Sequence, residues 1–502
     1  MEKFFLLLLV LIFVPIIVFA TNPVLVDSGG TGDFLTVQAA INSWCTGGAN
    51  VAETPPFTIN IKAGSGPYDE ALSLNDGNAT YRGDIVGDLI MKSDTPGTKI
   101  IIKLQRGPDA PVATVGDDGL WIYQNVYNVT FTDLLFCPSQ TTNTLNGWAA
   151  ALITDDMVKI DENSTNAISN WISFYDCIFT DITVAGNPMV TSKSDPQVLL
   201  LPPTRGSGML SANTADLLKH WGDVGEFLNL RCDNCLFYGG ISYNCQAATD
   251  GAAGEQLIFN NCINAYAGYA NYNVRGTMAG ICTFSGTDND DYLNCNFSLN
   301  PQAGGHCIYA NPTATLNGAW LLNISNSILY SDATATSRGI SAGSGSGITC
   351  SDTIIYTPIY NVVNVAHNAE TWNRVTFHTT TASAAFYYAA VGTGSTTCRD
   401  CIFSGAGTKF TQAGPSGGIS VDYCAYVEAG PDIITARGTI QTDGSNIVTS
   451  DPGYVTKNVT SEFFMDVTNV DYQGKGTSGS DLTGGADFYV PTAVHYSWSL
   501  YE

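Results

Sequence analysis

A four-residue pattern recurs along this chain and leaves few folds open to it. It reads Asn or Asp, then Cys, Ser, Thr or another small or apolar residue, then usually an apolar residue, then an apolar or aromatic one. Copies stand at Asp133–Phe136, Asp176–Phe179, Asn234–Phe237, Asn261–Asn264, Asn294–Phe297, Asn326–Leu329, Asp352–Ile355 and Asp400–Phe403, spaced 26 to 58 residues apart. The step from Asp352 to Asp400 reads as two coils of about 24 residues, with Trp372–Phe377 a degenerate copy between them. A strand-like stretch precedes each copy, as at Leu257–Phe259 and Leu321–Ile324. Such a cadence predicts a solenoid in which each repeat is one coil. The Leu-rich signature and the helix per repeat of leucine-rich repeats are not visible. Coils of strands set like residues above like, about 4.8 Å apart. The expectation is that Asn amides hydrogen-bond up the stack while Cys, Ile and Phe fill the interior. The two longest steps predict loops thrown out near 138–168 and 185–225.

Composition narrows the partners. Lys and Arg number 20 against 45 Asp and Glu, a net charge of −25 over 502 residues. Nucleic acid is excluded as the natural partner, because phosphate binding needs clustered cations. With 44% hydrophobic residues and only 13% charged, the chain has the apolar surface for a core, and its 51 Gly suit a turn-rich β protein.

The first twenty residues read as a secretory signal peptide. Lys3 is followed by the apolar run Phe4–Phe19, and Val18 with Ala20 fit the small-residue cleavage rule. An uncleaved anchor helix is the competing reading. A secreted or cell-surface location follows, with no membrane span once the signal is removed. Six N-x-S/T triplets, at Asn78, Asn128, Asn163, Asn296, Asn323 and Asn458, matter only where the host glycosylates exported chains.

Three further segments carry a resemblance. Gly32–Phe34 with Thr36–Ile41 resembles the helix capping the first coil in the pectin-lyase-like superfamily. Ile59–Ile61 with Gly66–Glu70 resembles its first strand and turn. Asp451–Val455 followed by Gly484–Phe488 resembles the closing coil, near 451–490, of secreted β-helix repeat proteins. The resemblance implies an all-β, single-stranded right-handed parallel β-helix over residues 21–502. It would have roughly a dozen coils and a short N-terminal capping helix. That fold hosts lyases, hydrolases, esterases, adhesins and phage spikes, so it does not by itself give a function. The signature blocks of pectin methylesterases, polygalacturonases and pectate lyases are absent; the nearest match is Gly305–Cys307.

Repeat arithmetic offers candidate site residues. His306 lies 12 residues after Asn294 and Arg338 lies 12 after Asn326, so both share one phase on adjacent coils. Arg275 lies on the coil before. Asp288, Asp290 and Asp291 are closely spaced carboxylates that suit calcium, although such a run is also an ordinary solvated turn. A cation with His or Arg is equipment for removing a proton from a uronate. Tyr266, Tyr269 and Tyr272 form a Tyr-rich turn on which sugar rings could stack; packing on a strand face is the plainer reading. The 14 cysteines of an exported chain suggest disulfides, with buried free thiols as an alternative for those in the ladder. Half a zinc site at Cys232/Cys235 or Cys398/Cys401 is disfavoured, since the two pairs are one repeat feature copied far apart.

The function these features favour is an extracellular, non-catalytic scaffold for adhesion or glycan binding, with self-association as a further option. A polysaccharide lyase or glycoside hydrolase with a divergent site is the alternative.

Overall fold

The computed structural model describes residues 22–74, 85–104, 119–123, 127–138, 156–162, 170–180, 183–184, 187–188, 216–222, 228–240, 242–249, 255–276, 280–286, 296–301, 305–310, 321–331, 337–343, 346–364, 369–381, 385–388, 394–405, 410–411, 418–426 and 440–442. Each coil contributes strands to three parallel ladders, which makes the protein a parallel β-helix. The first ladder starts at Val24–Val26, passes through Phe57–Ile61, Leu89–Ser93 and Val129–Thr132, and reaches Ile440–Thr442. The second starts at Tyr68–Glu70 and Ile100–Leu104 and runs to Ala425–Tyr426. The third is an 11-stranded sheet from Leu72–Leu74 to Phe410–Thr411. Antiparallel pairing among the described residues is limited to Thr183–Val184 with Asn187–Pro188 and an isolated bridge between Cys45 and Ile85. No helix among the described residues is long and apolar enough to cross a membrane.

The N-terminal helix α1 (Val37–Ser43) packs Val37, Ala40 and Ile41 inward. Thr36 caps it by accepting from the Ala39 N–H. The Glu70 carboxylate accepts from the Val37 and Gln38 N–H groups, both at 2.9 Å. It thereby satisfies two donors that a first helical turn leaves open. The spans 138–168 and 185–225 each run through a strand of the third ladder, Val158–Glu162 and Leu218–Gly222. The closing coil expected near 451–490 lies outside the described residues.

The repeated Asn or Asp turns out to be a backbone device. Asp133, Asp176, Asn234, Asn261, Asn326, Asp352 and Asp400 all have φ between 47° and 59°. They form the corner between the first and second ladders. Most L residues resist this left-handed conformation, whereas the short polar side chains of Asn and Asp tolerate it. Arg374 (φ 53°) occupies the corner within the degenerate copy, and Tyr423 (φ 52°) adds one more beyond Asp400. Asn294 lies outside the described residues.

The expected amide stack is therefore not at these positions. What climbs the corner is main chain: Asp133 N–H donates to Tyr175 O (3.1 Å), Asp176 to Asp233 O (2.9 Å), Asn234 to Asn260 O (2.9 Å) and Asn261 to Ser285 O (2.9 Å). A buried amide network does exist, one corner further on. There Asn244 donates to Asn264, and to Asn271 at 3.3 Å; Asn271 donates to Ser298 Oγ at 2.8 Å, and Asn361 bonds to Ile355 O and His378 O. These side chains are fully enclosed and turn inward where the second ladder meets the third. Asn261→Val should then cost about 1–2 kcal/mol, through a branched side chain forced left-handed, and Asn261→Gly well under half of that. Equal losses in thermal unfolding for the two variants would show that the amide, not the backbone, is what matters.

After seven of these nine corners, all but Asp133 and Arg374, the next side chain donates to the backbone. Cys177, Cys235, Cys262, Cys401 and Cys424 point their thiols at the carbonyl two residues back, at 3.2–3.4 Å. Ser327 and Thr353 do the same with hydroxyls at 2.8 and 2.7 Å. This shared bond explains why Cys, Ser and Thr interchange there. None of the thirteen described cysteines is in a disulfide and all are buried, which corrects the expectation of disulfides for them; Cys295 lies outside the described residues. Burial pushes the Cys307 and Cys350 thiols up to about 12, where thiolate is scarce at neutral pH. A thiol reagent should find little to modify in the native protein and should react promptly once guanidinium unfolds it. Fast native labelling, or silence after unfolding without reductant, would refute buried free thiols.

The first ladder alternates buried and outward residues, as in Phe57–Ile61 and Val129–Thr132. The second does not: Ile178–Thr180, Leu236–Tyr238 and Ile263–Ala265 are buried throughout. Its inward Phe136, Phe179 and Phe237 belong to the central core. Its outward Leu135, Ile178, Leu236, Ile263, Phe297 and Ile328 form a second apolar cluster.

Candidate functional site

The outer face of the third ladder holds a cluster of polar and aromatic side chains around His306. His306 pairs in register with Arg338 on the next coil and with Ala270 on the coil before; Arg338 in turn pairs with Tyr360. The phase argument from the repeat thus corresponds to direct cross-strand neighbours. His306 N–H donates to Tyr269 O at 2.8 Å, and Arg338 N–H to Gly305 O at 3.0 Å.

Rings enclose the imidazole. Its centroid lies 5.3 Å from Tyr269 and 4.9 Å from Tyr309. Tyr269 also meets Tyr243 edge-on at 5.7 Å and Tyr309 at 5.6 Å, and its phenol hydrogen-bonds to Tyr309. His306 is only 3% exposed, and its buried Nδ1 has no hydrogen-bond partner. Burial first, and the Arg338 charge second, lower its pKa from 6.5 to about 4, so the ring is neutral at physiological pH. Further along the same face, Tyr360 and Tyr387 sit with their rings 4.9 Å apart.

Arg338 stands apart from the other arginines whose side chains are described. Arg231, Arg374 and Arg399 each pair with an aspartate: Asp233, Asp352 and Asp422. Arg338 has no ion pair among the described residues.

The remaining candidates separate. Arg275 lies on the strand Ala270–Gly276, five positions along from the residue paired with His306. That is about 16 Å at the usual strand rise, so it does not join the pair. Tyr272 is 2% exposed and packs inside against Phe259 and Phe284 at 5.0 and 4.7 Å. Tyr266 is 4% exposed and packs on Tyr238 at 5.6 Å. Its φ of 60° places it at the second corner, a position held on other coils by Gly239, Asn300 and Gly405. Of the Tyr-rich turn only Tyr269, 41% exposed, offers its ring to a ligand. Asp288, Asp290 and Asp291 lie outside the described residues. No group of three metal-ligating side chains occurs among the described ones.

Sequence reasoning missed Tyr309. Strict alternation from His306 would turn Ile308 outward, but Cys307 and Ile308 are both buried at the corner and alternation restarts at Tyr309. The same two inward residues follow Tyr243 on an earlier coil, as Asn244 and Cys245.

No protein-family model matches this chain, and no curated protein matches it significantly.

Proposed function

We propose that this is an exported β-helix scaffold that binds a glycan on the outer face of its third ladder. The carrying observation is the pairing of outward tyrosine rings with an unpartnered buried imidazole nitrogen. Tyr269 and Tyr309 offer faces to sugar C–H groups. His306 Nδ1 lacks a partner that a sugar hydroxyl can supply, since hydroxyls both donate and accept. The scaffold repeats outward groups at one strand spacing per coil, which suits an extended chain ligand. Export rests on the apolar run Phe4–Phe19 and is checked by mass spectrometry of the mature chain, expected to begin at Thr21.

Binding to immobilised neutral and acidic polysaccharides, followed by calorimetry on the best ligand, tests the reading. Tyr309→Ala should weaken binding about tenfold or more, on the scale of a lost stacking contact and its polar neighbour, in a protein that circular dichroism shows still folded. Wild-type affinity in both Tyr269→Ala and Tyr309→Ala would remove the site.

One observation favours a second reading as a polysaccharide lyase. A neutral imidazole beside a guanidinium can take a proton from a carbon next to a carboxylate that the guanidinium holds. Ultraviolet-absorbing unsaturated products from a uronate polymer, lost in His306→Ala, would establish it.

A further inference from the structure

Among the described side chains the proposed glycan site has one cation, Arg338, and its setting specifies what that cation is for. Arg338 projects between His306 and Tyr360 on the outer face, half-buried and without an ion pair among the described residues. The chain has more than twice as many acids as bases, and the other arginines with described side chains are all neutralised by an aspartate. A guanidinium with no ion pair among the described residues, beside a second polar group that is itself buried and unpartnered, points to a ligand that completes both. The described groups around the pair, Tyr269, Tyr309 and Tyr360, are uncharged rings.

Building on the glycan-binding reading, we propose that the ligand is a largely neutral glycan bearing a single carboxylated sugar, whose carboxylate docks on Arg338. A guanidinium fork matches a planar carboxylate with two parallel hydrogen bonds. His306 Nδ1, enclosed in the free protein, takes a hydroxyl of the adjacent sugar once the exposed Tyr269 ring turns aside, and Tyr309 takes a face of that sugar. A polyuronate does not fit this arrangement. One cation neutralises one acid, and the net charge of −25 repels the remainder of a polyanion.

Calorimetry with three probes tests this: a neutral xylo-oligosaccharide, the same chain bearing one glucuronic acid branch, and an oligogalacturonate. The branched probe should bind about tenfold or more tighter than the neutral one, the scale of one charge-assisted contact. Arg338→Gln should level the two, with most of the loss falling on the branched probe. Tyr309→Ala should weaken both probes alike and keep their ratio. Equal affinity for branched and neutral probes in the wild type would overturn the carboxylate proposal, as would strongest binding of the oligogalacturonate. If Tyr309→Ala still weakens binding in that case, glycan binding at this face stands without the acid preference. If no probe binds and the tyrosine variants change nothing on a broad glycan panel, the glycan reading itself fails.

Discussion

Replacing Phe174 by alanine should cost about 3–5 kcal/mol in guanidinium unfolding, and Phe174→Leu no more than about 1.5 kcal/mol. Phe174 is completely buried. It stacks on Phe131 at 4.8 Å and meets Phe179 and Phe136 edge-on at 5.2 and 6.4 Å. Truncation opens a cavity in the middle of an aromatic pile whose members come from two ladders on two adjacent coils. The backbone hydrogen bonds of the coil hold the walls apart, so little collapse can fill the gap. Because each coil touches mainly its neighbours, the damage should stay local. Hydrogen exchange should quicken across 129–138 and 228–238 and remain slow across 395–405. A loss under 1 kcal/mol, or exchange that quickens evenly along the chain, would contradict this packing.

Acid should destabilise the protein through His306 before the carboxylates titrate. The native imidazole is held near pKa 4 by burial and by Arg338, against 6.5 when exposed. As pH falls from 6.5 to 4 the unfolded chain takes up a proton that the native state refuses, so stability declines across that window. At about 1.4 kcal/mol per pKa unit the decline approaches 3 kcal/mol. Below pH 4 both states are protonated at this site and its contribution stays flat. Unfolding free energy measured at half-unit steps should show this slope in the wild type. His306→Gln should flatten it, and Arg338→Gln should narrow the window by letting the native ring charge more easily. A wild-type profile level between pH 6.5 and 4 would mean that the ring is not enclosed as described.

Much of the architecture could be read from the repeat, because the period of a solenoid is written directly as spacing between like residues. Asp133, Asn234 and Asp400 marked coils correctly, and Trp372–Phe377 did mark an extra one. Why those residues are Asn or Asp was not legible. A side chain that stacks and a side chain that permits a left-handed backbone leave the same letters. The interior amides Asn244 and Asn271 each follow a corner residue by ten positions and Asn361 follows one by nine, but the equivalent places on the coils between hold Cys307 and Gly339, so no amide series stood out. At the site, phase arithmetic paired His306 with Arg338 yet could not tell an exposed imidazole from one roofed by rings. That roof comes partly from Tyr309, whose outward direction depends on two consecutive inward residues at a corner. Tyr266 and Tyr272 looked like surface groups because the sequence Tyr266–Tyr272 reads as a loop. One of them is instead a corner residue and the other a core one.

The corner residues have a consequence for how the chain finds its register. In most sheets a slip of one position is punished because polar side chains are driven inward and apolar ones outward. The second ladder offers little of that protection, since Ile178, Phe179 and their counterparts on other coils are apolar on both faces. A slipped strand would still bury oily groups on either side. What it could not readily do is bend: the slip would place Cys177 or Cys235, or on the other side Tyr175, at a left-handed turn now occupied by Asp176 and Asn234. The corners act as punctuation that fixes the reading frame of each coil, so that frame errors are rejected by torsion angle where hydrophobicity is silent.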